Sequence, residues 1–353
     1  MKSFAVKIHN SFRLDGHSFD PRSPGELPRR LIGKGDAFSG EMGEFIKVWT
    51  SPEDTIELQT SGSTGKPKKI RVKKRAMVNS ALATGQFFGL ESGNTALLCL
   101  PVQYIAGKMM LVRAMVLGLE LDSLEPTNRI RPISGKHYDF CAVVPTQLEE
   151  SRDNLHQFAT VIVGGAAVPG KLEEELKDHP CDIYATYGMT ETLTHVAVRK
   201  LGRDKDYTAL PGVEFSIDHR ECLTIKAPHL RSEPLTTNDV VKLLSKHRFE
   251  LLGRWDHVIN SGGVKLFPEE IEKKLHHRMK FPFFMASEKD DKLGERLIMV
   301  VEHPGKFTPP DFLFEDLHPY EKPRKIYTLS GFEYTESAKI NRPETMNRLG
   351  GAS

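Results

Sequence analysis

Residues 140–165 read FCAVVPTQLEESRDNLHQFATVIVGG. Two apolar runs, FCAVVP and TVIVGG, lie on either side of a helical pattern near residues 146–156. Strands that are apolar along their whole length are typical of a parallel sheet with both faces covered. The stretch therefore predicts a strand–helix–strand unit within such a sheet.

The alternation of apolar runs and helical patterns extends on both sides of this unit. The further predicted elements are a strand at 69–72, a helix over 76–90, the strand TALLCLP (95–101), a helix near 107–118, the helix KLEEELKDH (171–179) and the strand DIYATYG (182–188). Ligands of open α/β sheets bind in the crevice at the carboxyl ends of the strands. The stretches GGAAVP and YGMTET follow predicted strands, so we expect them to border a ligand site.

The pattern changes after residue 196. Short strands with tight turns predict a β-rich segment that closes the first domain, and a smaller unit follows Gly253. We therefore predict an α/β fold. Its large N-terminal domain, over 1–254, has mixed, mostly parallel sheets covered by helices plus the β-rich segment, and a small α+β C-terminal domain covers 255–353. The tail over 321–345 is polar and turn-rich.

Composition excludes several classes of protein. A net charge of +2 gives no general case for nucleic-acid binding. No apolar run approaches the ~18 residues of a membrane helix, and the start MKSFAVKIHN lacks the apolar stretch of a signal peptide. The cysteines form no C-x-x-C pair, which indicates buried thiols in a reducing cytoplasm rather than zinc ligands or disulfides. They are Cys99, Cys141, Cys181 and Cys222.

Residues 58–70, LQTSGSTGKPKKI, combine small hydroxyls, glycines and lysines, which suggests a loop that holds phosphate. The Walker pattern fails, because Pro67 or Ile70 stands where its second glycine would be. The dinucleotide pattern G-x-G-x-x-G is absent, and the nucleophile elbow fails because Ser61 stands two residues before Ser63. The loop therefore has phosphate-binding chemistry but belongs to none of these three classes.

Instead, TSGSTGKPK (60–68) resembles the [ST]-S-G-[ST]-T-G-x-P-K signature of the acyl-adenylate-forming superfamily, which includes acyl-CoA synthetases. Three further stretches resemble its motifs in the same order: YGMTET (187–192), GRWDHVINSGGVKLFPEEIE (253–272) and SAKINRPE (337–344). TTNDVV (236–241) resembles the T-G-D motif, with Asn238 in place of glycine, and Ala338 replaces the usual glycine before the terminal lysine. The resemblance spans nearly the whole chain and implies the adenylate-forming enzyme fold, with a small domain that rotates.

The resemblance implies a reaction in two halves that uses ATP, Mg²⁺ and CoA. A carboxylate attacks the α-phosphate of ATP, and CoA then displaces AMP. Two unit charges ~4 Å apart repel by roughly 4 kcal/mol at an effective dielectric constant near 20. Lys339 would offset this repulsion as the catalytic lysine, Thr190 would contact the α-phosphate and Glu191 would bind magnesium. The residues implied to hold the departing phosphates are Thr60, Ser61, Gly62, Ser63, Thr64, Gly65, Lys66 and Lys68.

The same resemblance implies the remaining nucleotide and CoA contacts. Asp239 and Arg254 would bind the ribose, and Asp256 would be the hinge of the small domain. The implied adenine site is formed by Gly164, Gly165, Ala166, Tyr187 and Gly188. The implied CoA site is formed by Ser261, Gly262 and Gly263.

The acid is suggested by LPVQYIAGKMMLVRAMVLGLEL (100–121), which resembles the corresponding segment of o-succinylbenzoate–CoA ligases of menaquinone synthesis. Tyr104 stands where much of the family has histidine. The phosphate loop also comes early, which suggests a condensed N-terminal part. This acid has a second carboxylate that needs a partner, and Lys108 is preferred over the other candidates because it follows Gly107 at the turn into a helix. The other candidates are Arg113, His195 and Arg199; for each of the four, a structural or surface role is the alternative.

Three other functions remain open. The chain could ligate another aryl or short-chain acid to CoA, or pass an acyl group to a carrier protein. It could also be a non-catalytic nucleotide-binding relative, because Ala338 and Asn238 depart from the motifs. The expected partners are therefore the small molecules acid, ATP and CoA, with no nucleic acid and no membrane span. The oligomeric state is left open.

Overall fold

The computed structural model describes residues 6–59, 69–334 and 340–350. The helices are α1 (Glu26–Ile32), α2 (Ala37–Thr50), α3 (Lys74–Phe88), α4 (Ile105–Leu117), α5 (Pro145–Glu150), α6 (Gly170–Leu176), α7 (Pro268–Leu275) and α8 (Arg342–Gly350). The strands before residue 190 are β1 (Arg13–Leu14), β2 (His17–Ser18), β3 (Thr55–Gln59), β4 (Lys69–Lys73), β5 (Thr95–Leu98), β6 (Glu120–Ser123), β7 (Tyr138–Val143), β8 (Phe158–Val163) and β9 (Asp182–Gly188). The later strands are β10 (His195–Lys200), β11 (Tyr207–Ala209), β12 (Glu214–Ile217), β13 (Cys222–Lys226), β14 (Leu235–Ser245), β15 (Arg248–Arg254), β16 (Ile259–Ser261), β17 (Val264–Leu266), β18 (Phe283–Asp290), β19 (Gly294–Glu302) and β20 (Lys325–Leu329).

A long mixed sheet dominates the molecule. Its strand order in the described residues is β12-β13-β14-β15-β11-β10-β9-β8-β7-β5-β6-β1-β2. Neighbouring strands are parallel from β6 through β5, β7 and β8 to β9. Beyond β9 the pairs are antiparallel. The predicted α/β class is confirmed, and the β-rich segment is found to continue the parallel sheet across β9 and β10.

The parallel strands are covered on both faces, as their apolar sequences predict. Alternate side chains of one strand enter different hydrophobic clusters because successive residues point to opposite faces of a sheet. In β7, Phe140 and Ala142 pack into a cluster with α2, α3 and α4, whereas Cys141 and Val143 pack into a second cluster with α5 and α6. This layering brings α3 and α4 against the face of the sheet where Arg113 and His195 lie, whereas Arg199 pairs with Glu173 of α6.

The predicted helix near 146–156 is divided. Helix α5 ends before Ser151, and a 3-10 helix over Arg152–Gln157 follows. Ser151 leaves the α-helical conformation, and its buried hydroxyl accepts a hydrogen bond from the backbone N–H of Ile130 at 2.8 Å. A side chain engaged with a distant backbone group in this way favours an end to the helix.

A second sheet follows the first. It contains β17, β16, β19 and β18 in that order, with β20 paired parallel to β19. The long sheet ends at Arg254 and the second begins at Ile259, with a 3-10 helix over Trp255–His257 between them. The sequence pattern missed β20 and α8 in the polar tail. In β20 most residues are half-buried, so the strand lacks the alternation of buried and exposed residues that marks a strand with one buried face. The division into domains at 254/255 stays a prediction.

Two further properties bear on the expectations from composition. Among the described helices, none combines the length and the apolar character needed to cross a membrane. All four cysteines are buried and free.

Candidate active site

The carboxyl end of β9 carries a network of polar side chains from three strands. The Tyr187 hydroxyl donates to Asp239 Oδ2 at 2.6 Å, and Arg254 Nη1 donates to Asp239 Oδ1 at 3.4 Å. Asp239 and Arg254 lie opposite each other in the β14–β15 pair. Burial and the charge of Asp239 raise the pKa of Tyr187, so its phenol stays protonated at neutral pH. The structure thus brings three predicted nucleotide contacts together.

The ring of Tyr187 has a packing role as well. It lies against Phe249 with a centroid distance of 5.1 Å and against Tyr207 at 5.8 Å. Tyr187 is buried. Core packing and a contact with adenine are compatible, and the contact with adenine remains a prediction.

Three predicted glycines stand where a side chain would not fit or would be strained. A Cβ at Gly188 would lie 2.4 Å from the Thr194 carbonyl oxygen, and one at Gly164 would lie 2.7 Å from Thr186 Oγ1. Gly165 has a φ of +88°, a conformation that glycine adopts readily. Gly165 and Ala166 are exposed at the carboxyl end of β8, next to the end of β9. The backbone at this edge is therefore open to close approach by a ligand.

The predicted magnesium ligand lies in the turn that follows β9. Thr190–Thr192 form a short 3-10 helix, and Glu191 is exposed at its centre. The Thr192 hydroxyl accepts from the Met189 N–H at 2.9 Å and donates to the Thr194 carbonyl at 2.8 Å, which fixes the turn. A group of three or more potential metal-ligating side chains is absent from the described residues. One carboxylate with phosphate oxygens and water is a usual ligand set for Mg²⁺.

A buried cation lies next to this turn. Arg113, in the middle of α4, is 2% exposed. Its Nη2 donates to His195 Nδ1 at 3.3 Å and to Thr194 Oγ1 at 3.5 Å, and its Nε donates to Thr84 Oγ1 at 3.4 Å. Within the described part of the chain, these partners are all neutral. Burial lowers the pKa of Arg113 to about 10, which leaves it charged at neutral pH.

His195 completes this group and is neutral. Burial and the charge of Arg113 lower the pKa of His195 well below its usual range. Because Arg113 donates to Nδ1, we assign the ring proton to Nε2, which lies 3.4 Å from Thr84 Oγ1. One helical turn earlier on α3, the buried hydroxyl of Ser80 has no hydrogen-bond partner. We call Arg113, His195, Thr84 and Thr194 the arginine pocket.

The other two candidates for the second carboxylate are engaged elsewhere. Lys108 Nζ donates to the carbonyls of Val102 and Gln103 at 2.6 and 2.7 Å. Arg199 makes a bidentate pair with Glu173, at 2.6 and 2.9 Å. The sequence favoured Lys108 over Arg113. Which of them binds a second carboxylate stays a prediction, and the sequence signal that favours Arg113 is a guanidinium amid the apolar residues of α4, IAGKMMLVRAMVL.

The predicted hinge residue lies between the two sheets, and the predicted CoA residues lie in the second sheet, at the turn from β16 to β17. The Asp256 carboxylate accepts from Asn238 Nδ2 at 3.3 Å and from Arg254 Nη2 at 3.5 Å. Ser261 ends β16, and the tight turn to β17 has φ values of +58° at Gly262 and +83° at Gly263. A Cβ on Gly263 would meet no atom within 4 Å, so this turn presents an open backbone.

Two predicted groups lie outside the described residues. They are the phosphate loop, residues 60–68, and the catalytic lysine, Lys339. The strands that flank the loop, β3 and β4, pair antiparallel with Gln59 opposite Lys69.

Comparison with known proteins identifies the family. The model for "AMP-binding enzyme" matches residues 20–225, which is more than half of the chain. The chain belongs to the AMP-binding enzyme family. This agrees with the motif resemblance and with the α/β fold.

Two similar proteins extend the match beyond residue 225. The 2-succinylbenzoate–CoA ligase of Lactococcus lactis is 25% identical over 341 residues, covering 85% of this chain and 75% of its own. An acyl-CoA synthetase (AMP-forming)/AMP-acid ligase II-like protein from Dyadobacter fermentans has a solved structure with 35% identity and a TM-score of 0.62, covering 89% of this chain and 95% of its own.

A third comparison supports the fold alone. The structure of O-succinylbenzoate coenzyme A synthetase from Bacillus subtilis, in complex with ATP and magnesium ion, has 19% identity and a TM-score of 0.67. The alignment covers 82% of this chain and 69% of that one.

Proposed function

We propose that this chain is an ATP-dependent, AMP-forming acid–CoA ligase whose acid is 2-succinylbenzoate. Membership of the AMP-binding family supports the chemistry, and the Lactococcus lactis relative supports the acid. The observation that carries the choice of acid is the buried Arg113, whose described hydrogen-bond partners are all neutral.

A buried cation without an anionic partner is costly, so such a group is expected to meet an anion in the working state. 2-Succinylbenzoate has two carboxylates, of which the succinyl one is activated. The ring carboxylate is then a planar anion that a guanidinium can bind with two parallel hydrogen bonds. Neutral His195 and the threonine hydroxyls of the arginine pocket add polar groups without competing charge.

The nucleotide would bind along the carboxyl ends of β8 and β9. The exposed backbone of Gly165 and Ala166 suits close approach of adenine. The pair Asp239–Arg254 offers an acceptor and a donor for the ribose hydroxyls, and an acidic residue on a ribose is a recurrent solution. Because the arginine pocket and this edge share the turn after β9, acid and nucleotide would meet near Thr190.

In the first half-reaction the succinyl carboxylate attacks the α-phosphate and pyrophosphate leaves. Lys339 would neutralise the two approaching anions, and the hydroxyls and lysines of 60–68 would hold the departing phosphates. Mg²⁺ at Glu191 would supply charge neutralisation on the phosphate oxygens. In the second half-reaction, rotation about Asp256 would present Ser261–Gly263 to the pantetheine arm of CoA, whose thiol displaces AMP.

The proposal places the reaction in the cytoplasm and in menaquinone biosynthesis. A CoA ligase for another aryl or short-chain acid is the second candidate, favoured by Tyr104, which stands where much of the family has histidine. A carrier-protein substrate and a non-catalytic nucleotide-binding role are tested by the same experiment.

The test is product analysis by mass spectrometry with ATP, Mg²⁺ and either 2-succinylbenzoate or one of a panel of other aryl and short-chain acids, with and without CoA. We expect acyl-adenylate and pyrophosphate without CoA, thioester and AMP with it, and neither from Lys339→Ala. Products from a different acid only would discard 2-succinylbenzoate and keep the ligase. Nucleotide binding without pyrophosphate from any acid would contradict both.

A further inference from the structure

The segment between the two sheets is held by a side chain that the resembled motif lacks. Asn238, on β14, donates from Nδ2 to the Asp256 carboxylate at 3.3 Å. Its Oδ1 accepts from Arg220 Nη1, also at 3.3 Å. Arg220 is itself fixed by Asp218, whose Oδ2 accepts from Arg220 Nε at 2.9 Å. Asn238 therefore links the turn before β13 to the 3-10 helix that joins the sheets.

Glycine, which stands at this position in the T-G-D motif, could make neither side-chain contact. The replacement of glycine by Asn238 matters because Asp239, the next residue, contacts Tyr187 and Arg254. Asn238 thus connects Asp256 to a strand whose next side chain lies in the predicted ribose site.

The same link supports a contact across the two sheets. Arg220 lies 5.9 Å from the ring centroid of Trp255, and Lys265 of β17 lies 5.9 Å from it as well. Lys265 also pairs with Glu221 at 3.2 Å. A cation from each side of the hinge therefore lies near one indole ring, an arrangement that stabilises the observed orientation.

We propose that Asn238 is a positioning residue of the hinge: its bonds to Asp256 and Arg220 stabilise the observed orientation of the second sheet and so set the balance between the two half-reactions. This inference rests on the proposed function for its consequence in catalysis. The hinge contact itself can be tested without turnover.

The test compares Asn238→Gly, which removes both bonds, with Asn238→Asp, which keeps the acceptor for Arg220 but places a carboxylate beside Asp256. Thr236→Ala is the matched control. It lies two residues earlier on the same strand, is exposed, and its hydroxyl lies 3.0 Å from that of Thr224, away from the hinge. The isosteric Asp variant decides the question where the Gly variant fails to fold.

The first measurement is hydrogen–deuterium exchange of residues 254–263 in the full chain. A net hydrogen bond commonly changes an equilibrium by roughly three- to ten-fold, so we expect exchange to quicken by that factor in both Asn238 variants and not in Thr236→Ala. Acrylamide quenching gives an independent signal, because the chain has two tryptophans and Trp49 is fully buried. Quenching of Trp255 should rise in the Asn238 variants.

The second measurement is the ratio of pyrophosphate release to thioester formation, which a merely structural role would leave unchanged. We expect this ratio to shift in both Asn238 variants. Exchange and quenching equal to wild type in both would overturn the hinge contact. An unchanged ratio with altered exchange would overturn its catalytic consequence. Faster exchange of residues 254–263 in the Asn238 variants, together with no pyrophosphate release by wild type, would support the contact and contradict the proposed function.

Discussion

Two buried arginines in the long sheet and its helices have opposite surroundings. Arg199, 8% exposed, forms a bidentate pair with Glu173. Arg113, 2% exposed, has His195, Thr84, Thr194 and the sulfur of Met110 as its described partners. Burial disfavours both cations, but the hydrogen bonds and charge of Glu173 outweigh it and raise the pKa of Arg199, whereas burial alone lowers that of Arg113.

The contrast separates Arg199, whose charge is neutralised within the fold, from Arg113, which has no anionic partner in the described residues. The pair with Glu173 joins α6 to β10 and needs nothing further. The other members of the arginine pocket orient Arg113 through neutral hydrogen bonds, and no counter-charge is found among the described residues. A carboxylate substrate would complete it in the way that Glu173 completes Arg199.

The largest effect is expected for Arg113→Met. Loss of a buried charge-assisted contact with substrate should lower kcat/KM for 2-succinylbenzoate roughly 100-fold, or about 3 kcal/mol. Thermal stability should be unchanged or higher, because the variant removes a desolvated charge. Pyrophosphate release and a thermal melt measure the two quantities. Arg113→Lys, which keeps the charge without the planar fork, should be intermediate; wild-type activity in the Met variant would contradict this role.

The reverse pattern is expected for Glu173→Gln. Removing the anion leaves Arg199 unpaired and should destabilise the fold by about 2 kcal/mol, less than for a fully enclosed pair because Glu173 keeps some exposure. The KM for the acid should stay unchanged. Urea unfolding measures the loss, and Glu175→Gln, an exposed acid on the same helix, is the control. Equal losses in the two variants would show that the pair contributes no more than a surface ion pair.

His195 should make stability depend on pH. Its folded pKa lies well below the unfolded value near 6.5, so below pH 6.5 the unfolded chain binds the additional proton and folding becomes less favourable as pH falls. The full contribution is present above pH 6.5. From pH 7.5 to 5.5, wild type should lose about 1.4 kcal/mol more than His195→Asn in urea unfolding. His156→Asn, an exposed histidine, should follow wild type; identical pH profiles for wild type and His195→Asn would refute the buried neutral state.

The smallest effect is expected for Lys108→Ala. Its ammonium caps two loop carbonyls, so the variant should lose about 1 kcal/mol of stability. The KM values for acid and ATP should change to the same small extent. An increase in the KM for the acid but not for ATP would support Lys108 as a residue of the acyl pocket and weaken the contrast between the two arginines.

The succession of strands and helices along the chain could be predicted well, because the periodicity of apolar residues reflects which of them are buried. Apolar runs identified β5, β7, β8 and β9, and the covering helices followed from the spaces between them. The continuation of that sheet through β10 to β15 could not be predicted, since strand order depends on pairing between distant segments. The division at Ser151 depends on a contact with Ile130, which local sequence does not reveal.

The candidate site shows the same limit. Motifs assigned Tyr187 to adenine and Asp239 and Arg254 to the ribose, and the structure brings the three within hydrogen-bond distance. The proposal of Arg113 in place of Lys108 needed tertiary contacts: residues five apart on a helix point about 140° apart, and it is Arg113 that contacts His195. The link from Asn238 to Asp256 was visible in the sequence only as a departure from a motif.

The decisive comparison uses 2-succinylbenzoate and 3-benzoylpropionate, which differ only in the ring carboxylate. We would measure kcat/KM for pyrophosphate release with both acids on wild type and on Arg113→Met. Wild type should prefer the diacid by roughly 100-fold, and the variant should show almost no preference. A variant that keeps the wild-type preference would show that Arg113 does not recognise the second carboxylate.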